Sequence, residues 1–141
     1  MEDKPQEATP LAERILDEMA EALVYADRAG IIRRWNRAAE TMFGHPAAQA
    51  LGQSLDLIIP ENLRAAHWRG FEAAMKNGAT RLHGTPTLTR AQHRSGSRIY
   101  VEMSFALVTD ETGAATGSVA IARDVTERVE REKAARGAAK S

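Results

Sequence analysis

Arg98-Ile99-Tyr100-Val101-Glu102-Met103-Ser104-Phe105-Ala106-Leu107-Val108-Thr109 is the stretch that decides the architecture. Ile99, Val101, Met103, Phe105 and Leu107 fall on one parity, and polar or small residues hold most of the other. Side chains of a strand alternate between its two faces, so this pattern predicts a long strand with one face buried. Turns bracket it. Arg94-Ser95-Gly96-Ser97 precedes it and Asp110-Glu111-Thr112-Gly113 follows, each with glycine available for a positive φ. Beyond those turns, Thr87 to His93 and Ser118 to Arg123 read as neighbouring strands.

Farther out the periodicity changes. Thr9-Pro10 reads as a helix start, with Thr as N-cap and Pro at the first helical position. Leu11, Ile15, Met19 and Ala22 continue at helical spacing. Leu23 to Ala26, the turn Asp27-Arg28-Ala29-Gly30 and Ile31 to Trp35 form a hairpin pattern. Asn36 is placed to cap a short helix, Arg37 to Phe43, which Gly44 ends. Pro46 to Leu51 is a further helical turn stopped by Gly52. Leu57-Ile58-Ile59-Pro60 leads into the longest helix, Glu61 to Lys76, with Asn77-Gly78 as its stop. From Val125 the chain is helical again, with Glu127/Arg131 and Glu132/Arg136 at i,i+4 and a frayed end from Gly137.

Helices and strands are segregated, which predicts an α+β domain. Its antiparallel sheet has about five strands. Short helices cover one face and wall off a pocket, and terminal helices flank the whole. Residues 1–9 are expected as a flexible tail, 10–126 as the domain body with its N-terminal cap helix, and 127–141 as a C-terminal helix and tail.

The 141 residues are 43% hydrophobic and 27% charged, which suits one globular domain. Lys plus Arg and Asp plus Glu each number 19, so the net charge is zero and argues against dedicated nucleic-acid binding. The chain has no cysteine, which excludes disulfides, thiolate metal sites, cysteine nucleophiles and cysteinyl-flavin chemistry. No apolar run approaches the ~18 residues of a membrane span, and the polar N-terminus has no signal-peptide core. A soluble cytoplasmic protein without a membrane partner is the expectation. No Gly-rich phosphate loop, GxSxG elbow or telling acid–base pair is present, so the chain is read as a non-enzyme.

Four segments together resemble the PAS domain, a bacterial sensory module. They are Asp27-Arg28-Ala29-Gly30-Ile31-Ile32, then Trp35-Asn36-Arg37-Ala38-Ala39-Glu40-Thr41-Met42-Phe43-Gly44, then the Arg94–Ser97 turn, then Arg123-Asp124-Val125-Thr126-Glu127-Arg128. The resemblance spans Leu11 to Arg128. It implies a PAS fold and an exit motif leading into a signalling helix. In that motif Asp124 or Thr126 is placed to cap the helix while Asp124 also holds the domain body.

His67 is the residue that points to a ligand. Leu63, His67 and Phe71 stand at i, i+4 and i+8 of the long helix, with Gly70, Ala74 and Met75 on the same side. A neutral imidazole on an apolar face is able to coordinate iron from inside a pocket, and Gly70 leaves room for a flat macrocycle. The alternative is a half-buried packing histidine. The string Ile59 to Phe71 resembles the haem-ligating helix of oxygen-sensing PAS domains in nitrogen-fixation histidine kinases and cyclic-di-nucleotide phosphodiesterases. That resemblance implies haem b (heme b) on His67, with Arg64 pairing a propionate. It also implies that the distal arginine position falls on Thr87 and the distal methionine position on Thr85. Met103 and Phe105 fall where the family has distal apolar residues, Met103 being core or a weak axial ligand. Without a distal cation, carbon monoxide, nitric oxide or redox state suits the site better than tight oxygen binding.

His83 is a backup, facing either a propionate or water; His45 and His93 are expected at the surface. No histidine pair has zinc-site spacing. Trp35 is expected in the hairpin core and Trp68 pointing to solvent or a partner. The leading function is a gas or redox sensor that works as a homodimer through its terminal helices. Its output lies in a histidine kinase, a cyclase or phosphodiesterase, or a transcription regulator. The alternatives are a ligand-free dimerisation and interaction module, or a receptor for a small organic ligand with Arg64 or Arg90 as anion partner.

Overall fold

The computed structural model describes residues 9–78 and 84–140. The elements run α1 (Leu11–Glu18), β1 (Ala22–Asp27), β2 (Ile32–Trp35), α2 (Arg37–Phe43), α3 (Ala47–Ala50), a 3-10 helix (Leu55–Ile58), α4 (Glu61–Asn77), β3 (Thr87–Gln92), β4 (Arg98–Thr109), β5 (Ala115–Asp124) and α5 (Thr126–Lys140). The fold is α+β. Its five strands lie in the order β2-β1-β5-β4-β3, and every neighbouring pair is antiparallel. The tail expected over residues 1–9 lies, apart from Thr9, outside the described residues.

Register fixes which side chains share a face. Met103 stands opposite Ala122, Phe105 opposite Ala120 and Leu107 opposite Ser118. Val24 stands opposite Ala120 and Ala26 opposite Ser118. The large side chains of β4 therefore meet small ones on β5, and the helices pack onto this face. Phe43 of α2, Ala50 of α3, Leu55 and Ile58 of the 3-10 helix, and Trp68 and Phe71 of α4 join Val24, Val101 and Met103 in one core. Gly117 keeps β1 close to β5, since a Cβ there would stand 2.1 Å from the Ala26 carbonyl oxygen.

Asn36 is the pin of the N-terminal half. Its Oδ1 accepts from Ala39 N–H (3.0 Å), capping α2, and from Leu23 N–H (2.9 Å). Its Nδ2 donates to Leu16 O (2.7 Å) and Glu21 O (3.1 Å). One buried amide thus ties α1, β1 and α2 together.

Several boundaries differ from the sequence expectation. Pro10, not Thr9, occupies the N-cap of α1, and no side chain caps that helix. The approach to α4 contains the 3-10 helix, where Ser54 Oγ accepts from Asp56 N–H (3.1 Å). β5 begins at Ala115 because its pairing with β4 reaches back to Thr109. α5 continues through Gly137 to Lys140.

Candidate functional site

α4 starts after Pro60, whose missing N–H costs nothing at a helix start, and ends at Gly78 with φ +74°. Two stripes run along it toward the sheet. His67, Phe71 and Met75 form one; the small residues Ala66, Gly70 and Ala74 form the other. Between them and the sheet lies a cavity of about 390 Å³. Phe105 and Leu107 of β4, Ser118 of β5, and Gly84 with Thr85 before β3 complete its lining. No Lys, Arg, Asp or Glu is among these lining residues.

The His67 imidazole opens on this cavity. Its Nδ1 is buried and, among the described residues, has no hydrogen-bond partner. An unpaired buried polar atom costs about 1–3 kcal/mol, so it asks for an explanation. Burial pushes the His67 pKa below the ordinary 6.5, and the Asp56 carboxylate only partly opposes this. The ring is therefore neutral at pH 7 and has a lone pair to give. Trp68 meets it edge-on at 4.7 Å and Phe71 is tilted against it at 6.0 Å. Gly70 leaves space beside it: a Cβ built there meets nothing within 4 Å. Glycine inside a helix costs about 1 kcal/mol relative to alanine. No atom of the described residues crowds Gly70, so the space suits a ligand.

The structure brings His67, Gly70, Phe71 and Phe105 to the cavity. Leu63, Arg64, Met103 and Thr87 are not in its lining. Arg64 is turned away by its own hydrogen bonds, donating from Nε to Ile59 O (3.0 Å) and from Nη2 to Asp56 O (3.3 Å). Met103 is buried in the main core, and Thr87 sits opposite it at the start of β3. Leu63 is half-buried one turn before His67. Trp68 corrects the sequence expectation of a solvent-facing ring. Its Nε1 donates to Asp56 Oδ1 (2.8 Å), and its ring lies on the first hairpin, where a Cβ on Gly30 would stand 2.2 Å away. Trp35 packs on Phe43 at 5.4 Å. His45 and His93 are half-buried rather than exposed, and His83 lies outside the described residues.

Ser118 and Leu107 were missed by sequence reasoning. Leu107 follows from the parity of β4, but Ser118 reaches the cavity only through the β4–β5 register.

The exit from the sheet is a second functional feature. The Asp124 carboxylate accepts from Thr126 N–H (2.9 Å), while Thr126 Oγ1 accepts from Tyr100 N–H (2.9 Å). Val125 N–H donates to Tyr100 O (2.9 Å). Asp124 thus serves the helix start, and Thr126 holds the domain body. Arg128 meets Glu102 at 3.4 Å, and Lys133 stacks on Tyr100 at 4.6 Å from the ring centroid. Tyr100 and Glu102 have the parity opposite to Met103 and Phe105. α5 is therefore anchored on the sheet face that the cavity does not use.

The family model for the PAS fold matches residues 11–125. The chain belongs to the PAS family. This PAS domain is 27% identical over 77 residues to the oxygen sensor protein DosP of Escherichia coli, a match covering 55% of the chain and 10% of DosP. It is 25% identical over 113 residues to the sensor protein FixL of Bradyrhizobium diazoefficiens, covering 80% of the chain and 22% of FixL. The chain thus spans a small part of the curated relatives it matches. Among solved structures, a PAS domain from Colwellia psychrerythraea superposes with a TM-score of 0.73 at 23% identity, covering 82% of this chain and 95% of that one. No described helix is long and apolar enough to cross a membrane.

Proposed function

We propose that this PAS domain is a sensor that holds haem b on His67 and passes a change at that site to its terminal helices. The observation that carries this reading is the half-buried, neutral imidazole of His67 against an apolar cavity, its buried Nδ1 unpartnered among the described residues. The free space at Gly70 supports it, as do the resemblance of Ile59–Phe71 to a haem-ligating helix and the likeness to a protein named as an oxygen sensor. When bound, haem supplies an iron that takes a diatomic gas or changes oxidation state. The residues do the rest. His67 would hold the iron through its imidazole, and Phe71, Phe105 and Leu107 would give the group apolar walls. Thr85 and Ser118 are the hydroxyl side chains of the lining. Thr85, at the position the resemblance gives to the distal methionine, lines the cavity, and no cation is among the described lining residues, which favours carbon monoxide, nitric oxide or redox sensing over tight oxygen binding.

The route outward is β4. Phe105 and Leu107 face the cavity from it, and Tyr100 and Glu102 hold α5 from its other side. A displacement of β4 is felt at once by α5. In this reading the domain acts in the cytoplasm as a homodimer through its terminal helices. It is not a catalyst, and its output lies in a histidine kinase, a cyclase or phosphodiesterase, or a transcription regulator.

A ligand-free interaction module is the second reading. It is favoured by Arg64, which is engaged away from the cavity, and by α1, where Leu11 and Ile15 are 68% and 53% exposed. Titration with hemin separates the two. The haem reading expects saturation at one equivalent with a sharp Soret band, lost in His67→Ala. A broad free-hemin spectrum for the wild type leaves the interaction module standing.

A further inference from the structure

A second hollow, of about 330 Å³, opens where the α2–α3 connection, the approach to the 3-10 helix and the β3–β4 turn meet. Donors and cations reach it from all three segments. His45 comes from the first, Gln53 and Ser54 from the second, and His93 and Arg94 from the third; Arg64 of α4 stands at its edge. Asp56 is the one carboxylate in the lining, and it is already taken: Trp68 Nε1 donates to it and Arg64 stands 3.8 Å away. Among the described residues, Arg94 and the two imidazoles are left without an anion.

The groups are set before any ligand arrives. Trp35 Nε1 donates to His45 O (2.9 Å), and the Trp35 ring meets the His45 ring edge-on at 6.4 Å. Arg94 N–H donates to Phe43 O (2.9 Å), which latches the β3–β4 turn onto the end of α2. Gly44 allows the close approach, since a Cβ there would stand 2.7 Å from the His93 ring. His93 Nδ1 accepts from Ser95 N–H (3.0 Å), so the neutral ring carries its proton on Nε2 and that nitrogen is a donor. The local field is positive. Burial pushes His45 below the ordinary imidazole pKa, and the Arg94 guanidinium pushes it further the same way.

We propose that this hollow is an anion site, separate from the His67 cavity, that takes the phosphate group of a small phosphorylated ligand. The donors converge from several directions, which suits a tetrahedral oxyanion. A planar carboxylate is better served by two parallel donors from one side. The volume lies at the small end of ligand pockets, ~300–1,000 Å³, which suits a small molecule.

The test is an NMR titration of the full chain with inorganic phosphate at constant ionic strength, following the imidazole resonances. The site predicts saturable shifts at His45 and His93, an upward move of the His45 pKa, and an unmoved His67. Arg64 and Asp56 also line the hollow, but they are paired with each other and with Trp68 and so offset one another. Arg94→Ala should weaken binding at least about tenfold. It should leave the fold intact, because Arg94 latches the turn through its backbone. Glycerol phosphate as a second probe distinguishes the sources: tighter binding than inorganic phosphate indicates an organic phosphate, and equal binding indicates the free ion. Shifts that never saturate, or that chloride reproduces, overturn the site. So does binding unchanged in Arg94→Ala. The phosphate-against-chloride comparison on the wild type decides the matter even if the variant misfolds.

Discussion

His67 carries a signature that needs no ligand. Its pKa is lowered by burial from the ordinary 6.5, so as pH falls the unfolded chain takes up the proton first. The stability contributed by the neutral ring is complete above about pH 6.5 and is lost as pH falls through the lower folded value. His45 acts in the same direction, whereas Asp27 and Asp110 are held below 3.8 and act only in stronger acid. Thermal melts of the ligand-free protein should therefore show a lower Tm at about pH 5 than at about pH 7.5, and His67→Phe should flatten part of that dependence. An identical pH profile for His67→Phe would mean the ring is not buried as described. Asn36 presents a different case. Its cap on α2 was legible from sequence, but its bonds to Leu16, Leu23 and Glu21 were not, because they depend on how α1 and β1 pack around it. Asn36→Ala strands those buried groups together, and urea denaturation should show a loss of about 3 kcal/mol.

At the scale of elements, α4 and β4 supply most of the cavity lining. α4 was legible from Pro60 to Gly78 because start and stop signals bracket it. The directions of its side chains were not. Trp68 is set by Gly30 and Asp56, and Arg64 by Asp56 and Ile59, all outside the helix. Apolar residues in Leu55–Ile59 hid the 3-10 helix, whose short periodicity is indistinguishable from an extended run. The hollow at Gly70 gives a test at this scale. Gly70→Leu adds a helix-favouring side chain into open space, so the melting temperature of the ligand-free protein should hold or rise. The same variant should lose most hemin binding, and unimpaired binding would place the ligand elsewhere. At the other end of the relay, Thr126→Val removes the acceptor for Tyr100 N–H. Hydrogen exchange should speed up at Tyr100 and along the first turn of α5, at a cost of about 1–2 kcal/mol, while α4 is unaffected.

At the scale of the whole molecule, the sequence and the structure agree on the fold for a physical reason. Alternation on β4 and punctuation by Gly, Pro and Asn are local signals, and an antiparallel α+β domain follows from their order. The site was legible as one helix face, His67, Gly70 and Phe71, and one strand residue, Phe105. Ser118 and the second hollow arise from strand register and from the latch between the β3–β4 turn and α2, which join residues far apart in the chain. In the proposed reading, this PAS domain carries on one sheet face an imidazole that would hold haem iron and on the other a signalling helix. That reading turns on His67 as the residue that would hold the iron, and chemical rescue is the measurement to make. His67→Gly, loaded with hemin, is titrated with free imidazole while the Soret band is recorded. If His67 holds the iron, no sharp band forms without imidazole, and a wild-type-like band appears once imidazole fills the vacated place. A sharp band in His67→Gly before any imidazole is added would contradict it.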